Sequence, residues 1–334
     1  MNDLILLSHG SGGDATKNLV EKEFLKYLSN PILDELLDSG IFEVDGKLAM
    51  TTDSYVINPI FFKNGDIGKL SVIGTVNDLC VVGAKPLFLS LGLIMEEGLP
   101  IDDLKRIIKS IGETAKQCNV KIVTGDTKVV EKNKGDKIFI NTTGIGIIEK
   151  HRDWRNRKLQ KGDNIVVTGD IGEHGIYIML ERLKINTDDE VKSDLASLAD
   201  IILGALDRFY EIKFVRDPTR GGVATVLNEI SQKYNVTIEV YEEEIPVKEW
   251  VKNASEVLGI DPLYSANEGK AIIVVSPQET EQLLNYLKAH PLGQNAKVIG
   301  YIKDTNNSGV YLITRIGTKR ILESLKGDIL PRIC

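Results

Sequence analysis

Three aspartates are the residues of this sequence whose type and spacing most directly suggest chemistry. Asp53 follows a predicted strand, Asp78 lies on the helix that comes next, and Asp126 lies at a predicted bend in a later strand. Each is embedded in apolar sequence, where an unpaired carboxylate would be costly to bury. Hard oxygen ligands of this kind suit Mg²⁺, especially Mg²⁺ carried by the phosphates of a nucleotide. The alternative is three carboxylates that are satisfied separately at the ends of loops.

Two further side chains could move protons. Lys128 lies two residues after Asp126, and in an extended strand such side chains face the same way. Lys128 could therefore approach bound phosphates or carry a proton, although a solvated strand lysine is the commoner case. Glu268, in Asn-Glu-Gly-Lys, is either a general base or a turn carboxylate. Taken alone, each of the two has an ordinary structural explanation.

The sequence ends on a cysteine, in Pro331-Arg332-Ile333-Cys334. Nothing follows Cys334 to complete a helix, a strand or a metal loop, and chain ends are poorly ordered unless they are tied down. Residues 328–334 could reach roughly 24 Å when fully extended, at about 3.5 Å per residue, which is enough to enter a pocket elsewhere. We therefore expect a thiol on a movable arm. The alternative is a sequence that simply stops at a cysteine.

Residues 8–14 form a glycine-rich segment, Ser-His-Gly-Ser-Gly-Gly-Asp, whose backbone N–H groups could bind phosphate. A flexible lead-in is an equally good explanation. The sequence has no Walker A motif, because Gly269-Lys270 is followed by alanine, and the glycines at 169, 172 and 175 do not fit the dinucleotide pattern. The four histidines show no metal-ligand spacing. Any nucleotide site is therefore of another type.

Composition narrows the class of protein. The chain of 334 residues carries a formal net charge of −7 with no basic stripe, which argues against binding along a nucleic-acid backbone. No apolar run reaches membrane-spanning length, and no basic segment opens a signal peptide. Cys80, Cys118 and Cys334 are far apart and include no Cys-x-x-Cys pair, which excludes a disulfide framework and the common zinc sites. We expect a cytoplasmic protein with Cys80 and Cys118 in its core.

The elements that must position these residues fall into two groups. In the first, Asp45-Gly46 predicts a hairpin between strands 41–44 and 47–52. A helix over 66–82, a strand over 86–95, a helix over 102–117 and strands over 120–130 and 138–148 follow. The order β-β-α-β-α-β-β predicts an α+β domain whose helices cover one face of a mixed sheet.

A polar, basic stretch over 151–161 is the predicted linker to the second group. Beyond it the pattern predicts strands over 164–168, 236–241, 263–275, 298–302 and 310–315, and helices over 176–183, 193–209, 223–234, 246–258 and 280–290. We therefore place an N-terminal domain at 1–155, a C-terminal α/β domain at 156–327 and a mobile tail at 328–334.

Four motifs, taken in order, resemble the aminoimidazole ribotide synthetase (PurM-like) superfamily: Thr51-Thr52-Asp53-Ser54, Asn77-Asp78-Leu79, Gly125-Asp126-Thr127-Lys128 and Asp217-Pro218-Thr219-Arg220-Gly221-Gly222. Within it, His9-Gly10-Ser11-Gly12-Gly13 and the Pro-Arg-Ile-Cys ending are similar to the HypE family, the carbamoyl dehydratases of nickel–iron hydrogenase maturation. The resemblance covers essentially the whole chain, and the ending is its most specific motif.

The resemblance implies two PurM-like domains, a homodimer formed through the N-terminal domains, and ATP in the resulting cleft. It implies Mg²⁺–nucleotide binding by Asp53, Asp78 and Asp126, and proton handling by Glu268 and Lys128. It further implies that His9, Gly10, Gly12, Gly13 and Arg220 help to bind the nucleotide.

The resemblance also implies a reaction on Cys334. The carbamoyltransferase HypF carbamoylates this cysteine, and ATP-dependent dehydration converts the thiocarbamate to a thiocyanate. Cyanide then passes to iron on the HypC–HypD complex. A mobile terminal thiol would explain how one atom visits the carbamoyl donor, the ATP site of its own protein and the iron scaffold.

Other members of the superfamily are the nearest alternatives: a selenophosphate synthetase, a thiamine-monophosphate kinase or a purine-pathway ligase. A selenophosphate synthetase would carry a reactive Cys near its start, and residues 1–50 contain none. The kinase and the ligase have no evident use for a terminal thiol. From a different class, a non-catalytic scaffold has no need to gather Asp53, Asp78 and Asp126 at strand ends.

Overall fold

A computed structural model describes residues 4–11, 14–37, 39–325 and 332–334. The chain divides into two compact units. Of the described residues, those up to Leu79, Ala84–Ile148 and Cys334 form the N-terminal unit, and those within Cys80–Gly83 and Glu149–Ile333 form the C-terminal unit. Among the described helices, none combines the length and the apolar character that crossing a bilayer requires.

The first half of the chain forms a mixed four-stranded sheet with helices. Its elements are α1 (Asp14–Leu19), a π-helical stretch (Val20–Phe24), α2 (Leu25–Leu28), β1 (Lys47–Tyr55), β2 (Phe61–Phe62), β3 (Gly65–Asp66), α3 (Ile67–Val81), β4 (Ala84–Glu96), α4 (Ile101–Gln117), β5 (Lys121–Val130) and β6 (Ile138–Ile148). The strand order is β1-β6-β4-β5, with β4 and β5 parallel and the other pairs antiparallel. The predicted mixed sheet is confirmed.

One face of this sheet is buried beneath helices. Residues along β6 alternate between buried and more exposed positions, as a strand covered on one face should. On the buried face, Thr142 Oγ1 lies 2.5 Å from Thr75 Oγ1 of α3 and donates a hydrogen bond to the carbonyl of Ser71. The Tyr55 hydroxyl at the end of β1 lies 3.2 Å from the same Thr75 oxygen. These contacts fix which side chains of β1 face the helices.

Two strand predictions in this unit were wrong. Residues 41–44 form no strand, and β1 pairs with β6 instead of closing a local hairpin. The predicted bend in β5 is also absent: the strand runs without a break through Asp126 and Lys128 because β4 pairs with it along its length. The pairing of β5 with β4 is irregular at an earlier position. Its register shifts at Val123, a bulged residue that precedes the Gly125-Asp126-Thr127-Lys128 motif. Asp126 therefore lies inside a strand, as Asp53 does in β1.

The described residues of the second half of the chain form a seven-stranded sheet with five α-helices. Its elements are β7 (Asn164–Val167), α5 (Glu173–Arg182), α6 (Ala199–Arg208), β8 (Ile212–Arg216), α7 (Gly222–Tyr234), β9 (Thr237–Tyr241), α8 (Glu249–Leu258), β10 (Ile272–Val275), α9 (Pro277–Lys288), β11 (Lys297–Asp304), β12 (Gly309–Ile313) and β13 (Lys319–Ile321). The strand order is β13-β12-β9-β11-β7-β10-β8, and β9 and β12 are its parallel pair. All four residues of β10 are buried, which explains its unbroken apolar sequence.

Two predicted elements of this unit are shorter than expected, for one physical reason. The strand predicted over 263–275 is confined to β10, and the helix predicted over 193–209 begins only at Ala199. In the loops that replace them, the side chains of Asn267 and Asp194 accept hydrogen bonds from backbone N–H groups of other segments. Short polar side chains that bond to the backbone compete in this way with regular pairing.

The start of α7 offers a test of this packing. Gly222 has φ +59°, and a Cβ there would lie 2.5 Å from the carbonyl oxygen of Leu263 and 2.6 Å from that of Ser265. Gly259 has a similar φ of +67°, but a Cβ there would have no neighbouring atom within 4 Å. Both alanine variants incur the left-handed backbone cost of roughly 1–2 kcal/mol. Because only Gly222→Ala also clashes with backbone, we expect it to lower the free energy of unfolding well beyond Gly259→Ala in urea titrations. Equal losses would contradict the contact.

Candidate active site

The end of the chain is held in the C-terminal unit by hydrogen bonds to its backbone. His174 Nε2 lies 2.7 Å from the carbonyl oxygen of Ile333, and Arg182 Nη2 donates to the carbonyl of Arg332, also at 2.7 Å. The Ile333 side chain is buried. The segment predicted to be a movable arm therefore has a docked position with identifiable partners. Residues 328–331 of the predicted tail lie outside the described part of the chain.

His174 is fully buried at the start of α5 and both of its ring nitrogens have partners. Nδ1 lies 2.7 Å from Ser193 Oγ, and Nε2 faces Ile333 as described. Burial lowers the pKa of His174 and outweighs the opposing effects of the Asp194 carboxylate and of the hydrogen bond to Ile333. The ring is therefore neutral at pH 7.

The predicted base Glu268 lies in a buried loop that is tied to the same segment. The Asp194 carboxylate accepts hydrogen bonds from the backbone N–H of Glu268 at 3.1 Å and from that of Gly269 at 3.2 Å. Asp194 directly follows Ser193, the partner of the His174 ring. Two consecutive residues thus connect the loop that carries Glu268 with the histidine that holds the end of the chain.

A buried ion-pair network supports this loop. Lys270 Nζ lies 3.2 Å from Asp194 Oδ2 and 3.7 Å from Glu173 Oε2, and Lys248 donates to the other oxygen of Glu173 at 2.7 Å. Burial alone would lower the pKa of Lys270, but the carboxylates of Asp194 and Glu173 outweigh it and hold the pKa above its usual value. Burial raises the pKa of Glu173, and Lys270 offsets only part of that rise. Lys270 is therefore charged and fully paired.

Asn267 attaches the loop to the Asp-Pro-Thr-Arg-Gly-Gly motif. Its Oδ1 accepts from the N–H of Gly172 at 2.7 Å, and its Nδ2 donates to the carbonyl of Pro218 at 2.9 Å. Arg220, two residues further along the motif, is exposed just before α7. The structure therefore packs the motif against the Glu268 loop and leaves the arginine open to solvent.

In the N-terminal unit, Asp53 and Asp78 lie on the same side of the sheet. Asp53 is paired across the strands with the buried Thr142, so its side chain is on the helix-covered face. Thr51 shares that face, and its Oγ1 donates to Asp78 Oδ2 at 2.8 Å. In this unit the main-chain oxygen of Cys334 accepts a hydrogen bond from the N–H of Val56, which directly follows β1, at 3.0 Å. The strand that carries Asp53 thus leads directly to the residue that contacts the end of the chain.

Asp126 and Lys128 lie on the opposite face of the sheet. Residues that are paired across adjacent strands have their side chains on the same face of the sheet. Asp126 is paired with Gly92 and Gly92 with Asn141, whose side-chain amide donates to Ser54 Oγ on the exposed face. Lys128 Nζ is 3.2 Å from Asp126 Oδ1, with both side chains largely exposed. The sheet therefore separates Asp126 from the other two predicted aspartates. Within the described ranges, no three His, Cys, Asp or Glu side chains cluster closely enough to hold a metal ion.

The start of the glycine-rich segment packs on β5 at Gly10. Gly10 ends a 3₁₀ turn (Leu7–Gly10), and a Cβ on it would overlap the backbone nitrogen of Val129, so a larger residue does not fit there. His9 Nδ1 accepts from the N–H of Leu6 at 2.9 Å. Gly10, Asp126 and Lys128 line one cavity of about 370 Å³ whose other walls are mainly apolar. Gly12 and Gly13 lie outside the described residues.

Sequence reasoning missed several residues of the C-terminal network. Lys270 belongs to the polar run Asn-Glu-Gly-Lys, so the motif that pointed to Glu268 already contained it. His174, Ser193 and Asp194 gave no comparable signal, because their partners are far away in the sequence and follow no fixed spacing. The contacts of His174 depend on where the end of the chain lies, which only the fold shows.

Comparison with known proteins matches both halves of the chain to one family. Residues 37–148 match the N-terminal domain and residues 160–313 the C-terminal domain of the family described as AIR synthase related protein. The carbamoyl dehydratase HypE of Azotobacter vinelandii is 42% identical over 334 residues, which cover 100% of this chain and 98% of the relative. The carbamoyl dehydratase HypE of Escherichia coli K12 is 43% identical, with 99% of each chain covered.

Solved structures give the same result. A crystal structure of the hydrogenase maturation protein HypE in complex with ATP superposes with a TM-score of 0.94 at 43% identity, covering 98% of this chain and 99% of that one. The crystal structure of a HypE–HypF complex contains a chain that matches with a TM-score of 0.79 at 44% identity, covering 92% of this chain and 99% of that one. The predicted PurM-like fold of two α+β domains is confirmed.

The ion-pair network around Lys270 can be tested by removing its cation. Lys270→Met leaves the carboxylates of Asp194 and Glu173 buried without their shared partner, and breaking such a pair typically costs about 3–5 kcal/mol. We expect a loss of unfolding free energy in that range, measured by urea titration. Lys248→Met is the matched control, because the Lys248 side chain is half-exposed and its loss leaves Glu173 near Lys270, so we expect a smaller loss of unfolding free energy. A Lys270→Met variant as stable as the control would contradict the network.

Proposed function

This chain belongs to the HypE family of carbamoyl dehydratases, and we propose that it dehydrates an S-carbamoyl group on its own Cys334 to a thiocyanate at the expense of ATP. The product would supply cyanide for the iron of nickel–iron hydrogenase. The observation that carries the proposal is the docked end of the chain: Ile333, next to Cys334, is held by His174, and the same network fixes the loop of Glu268.

The chemistry explains why ATP is required. A carboxamide oxygen is a poor leaving group, so water is not lost from a thiocarbamate readily. Transfer of the γ-phosphoryl group from ATP to that oxygen, with loss of one N–H proton, gives a phosphorylated imidate and ADP. Loss of the second N–H proton, cleavage of the C–O bond and departure of phosphate then leave S–C≡N on Cys334. The two protons need an acceptor, which the protein has to place.

We assign proton handling to Glu268 and Lys128. Glu268 is the preferred base, because its side chain is buried and its backbone is fixed by the Asp194 carboxylate. Lys128 is exposed beside Asp126, where a cation is suited to stabilising charge that develops on phosphate oxygens. The reverse assignment, with Lys128 as the base, is distinguished by which variant abolishes elimination after phosphoryl transfer.

The N-terminal unit would bind the nucleotide. Mg²⁺ in nucleotide enzymes is usually held by one or two carboxylates together with substrate phosphates, so the pair of Asp53 and Asp78 on one face fits that role. Bound there, Mg²⁺ would neutralise charge on the transferring phosphoryl group. The prediction of Asp126 as a third ligand of the same ion does not fit this arrangement, because the sheet separates Asp126 from the pair. The nucleotide-binding proposal further includes His9, Gly10, Gly12, Gly13 and Arg220.

We propose HypF as the carbamoyl donor and the HypC–HypD complex as the cyanide acceptor, with the reaction in the cytoplasm. The HypF proposal is supported by the crystal structure of a HypE–HypF complex, in which a chain 44% identical to this one is a component. A carbamoyl transfer to a terminal thiol requires that the end of the chain leave its docked position. The hydrogen bonds from His174 and Arg182 to the end of the chain are non-covalent and can be broken and re-formed in each cycle.

A homodimer through the N-terminal unit is supported by the exposed face of its sheet. Leu48, Met50 and Ile94 point to this face and are 49%, 72% and 46% exposed. Between them lie Asn141 and Thr143, whose side chains donate hydrogen bonds to Ser54 and Thr52 on the same face. A second copy of this chain would cover the apolar side chains, which are otherwise costly to leave in water.

The dehydration is tested by intact-mass measurement after incubation with HypF, carbamoyl phosphate and MgATP. We expect an adduct of one carbamoyl group that then loses the mass of one water, and no adduct on Cys334→Ala. Addition of a chelator after carbamoylation should stop the second step, since Mg²⁺ is proposed to assist phosphoryl transfer. An unchanged mass despite active HypF and ATP turnover would instead indicate a small-molecule kinase of the same fold.

The dimer is tested by placing a charge on its proposed face. Met50→Glu puts a carboxylate where a second copy would bury it, and we expect it to shift the sedimentation coefficient from that of a dimer to that of a monomer. Val257→Glu is the control, because Val257 is 79% exposed on a different unit of the chain. Dissociation by both variants, or by neither, would argue against this face.

A further inference from the structure

His174 has no part in the phosphoryl transfer or elimination proposed above, yet it is fully buried with two hydrogen-bond partners. Its Nδ1 faces Ser193 Oγ and its Nε2 faces the carbonyl oxygen of Ile333, each at 2.7 Å. A buried imidazole has to satisfy both nitrogens, because an unpaired polar atom in the interior costs free energy. One of its two partners belongs to the last residues of the chain. The ring is therefore complete only when the end of the chain is docked.

The partners determine which nitrogen carries the hydrogen. A carbonyl oxygen only accepts, so the contact with Ile333 requires an N–H at Nε2. In a neutral ring Nδ1 is then an acceptor, and the Ser193 hydroxyl donates to it. Ser193 Oγ in turn accepts from the N–H of Leu195 at 3.1 Å. All three groups are satisfied in one arrangement, in which the imidazole presents a fixed N–H to the backbone of the tail.

We propose that His174 is the positioning residue that holds Cys334 in place for the dehydration, through its Nε2–H bond to the carbonyl of the preceding residue. The proposal rests on the proposed function of Cys334. His174 Nε2 contacts the backbone of Ile333, and through that residue it acts on the position of the thiol. Ser193 fixes the tautomer, and Asp194 beside it fixes the backbone of Glu268. The loop that contains Ser193 and Asp194 therefore helps to position both the thiol and the proposed base, Glu268.

The role predicts different effects on the two half-reactions. Carbamoylation needs the end of the chain to be released, and docking contacts do not assist it. Dehydration needs the end of the chain to be docked, and loss of one buried hydrogen bond reduces the docked population by about tenfold if the other contacts remain. A residue that only stabilised the fold would affect both half-reactions together.

The experiment uses His174→Phe, which keeps the ring volume and removes both polar nitrogens. All proteins in the experiment also carry Cys118→Ser. Since Cys80 is fully buried, alkylation of the folded protein then reports on Cys334. We expect alkylation of Cys334 by iodoacetamide to become up to about tenfold faster and single-turnover dehydration of carbamoylated protein to become about tenfold slower. Carbamoylation by HypF should be unchanged or faster. His174→Gln, which retains an N–H donor, should recover part of the dehydration rate.

A folded His174→Phe variant with the alkylation and dehydration rates of the parent protein would overturn the proposal. Equal slowing of carbamoylation and dehydration would also overturn it, in favour of a structural role. If the parent protein itself fails to dehydrate, the proposed function is wrong, and the alkylation rates still decide whether His174 holds the tail.

A second measurement avoids altering His174. In protein labelled with ¹⁵N-histidine, we expect the ring shifts of His174 to show a neutral imidazole with its hydrogen on Nε2. A chain truncated after Arg332 lacks the acceptor, and we expect its His174 Nε2–H to lose protection from solvent exchange. Unchanged protection in the truncated chain would overturn the proposal even if His174→Phe does not fold.

Discussion

The carboxylate of Asp194 is the group on which the C-terminal network depends. It accepts hydrogen bonds from two consecutive backbone N–H groups and pairs with the buried ammonium of Lys270. A carboxylate that far from water is stable only with such a complete set of donors. Because it is fixed, the loop of Glu268 cannot relax into the strand that its sequence would favour. Ser193 directly precedes Asp194, so fixing Asp194 also fixes Ser193. Ser193 contacts the ring of His174, which in turn contacts the end of the chain.

The N-terminal sheet uses its two faces for different tasks. On its helix-covered side, Tyr55 and Thr142 of the sheet form a chain of buried hydroxyls with Thr75 of α3, and Asp53 of β1 and Asp78 of α3 lie on that side too. Its other face carries Asp126, Lys128 and an exposed apolar surface. Alternation along a strand assigns neighbouring residues to opposite faces. A shift of one residue in the register of β5 would therefore move the Asp126 side chain from the exposed face to the helix-covered face, where Asp53 and Asp78 lie.

Sequence patterns predicted the helices and the order of the main strands well, because burial on one face imposes a period that can be counted. They placed α4 and the central strands within a few residues. They failed where a polar side chain replaces a backbone partner, as Asp194 and Asn267 do, since such a contact has no period. They named Glu268 and Cys334 but could not connect them. The connection runs through His174, whose partner lies 159 positions away.

Two side chains that hold the end of the chain in the C-terminal unit, His174 and Arg182, bind main-chain carbonyls. Both hydrogen bonds are made to main-chain oxygens, so a thiol, a thiocarbamate and a thiocyanate would all leave these two acceptors in place. A ligand state shifts an equilibrium only by its difference in affinity for the two conformations. Chemical progress at the sulfur therefore provides little force to eject the finished product from these contacts. Departure would have to be driven from outside, by a partner that competes for the same stretch of backbone.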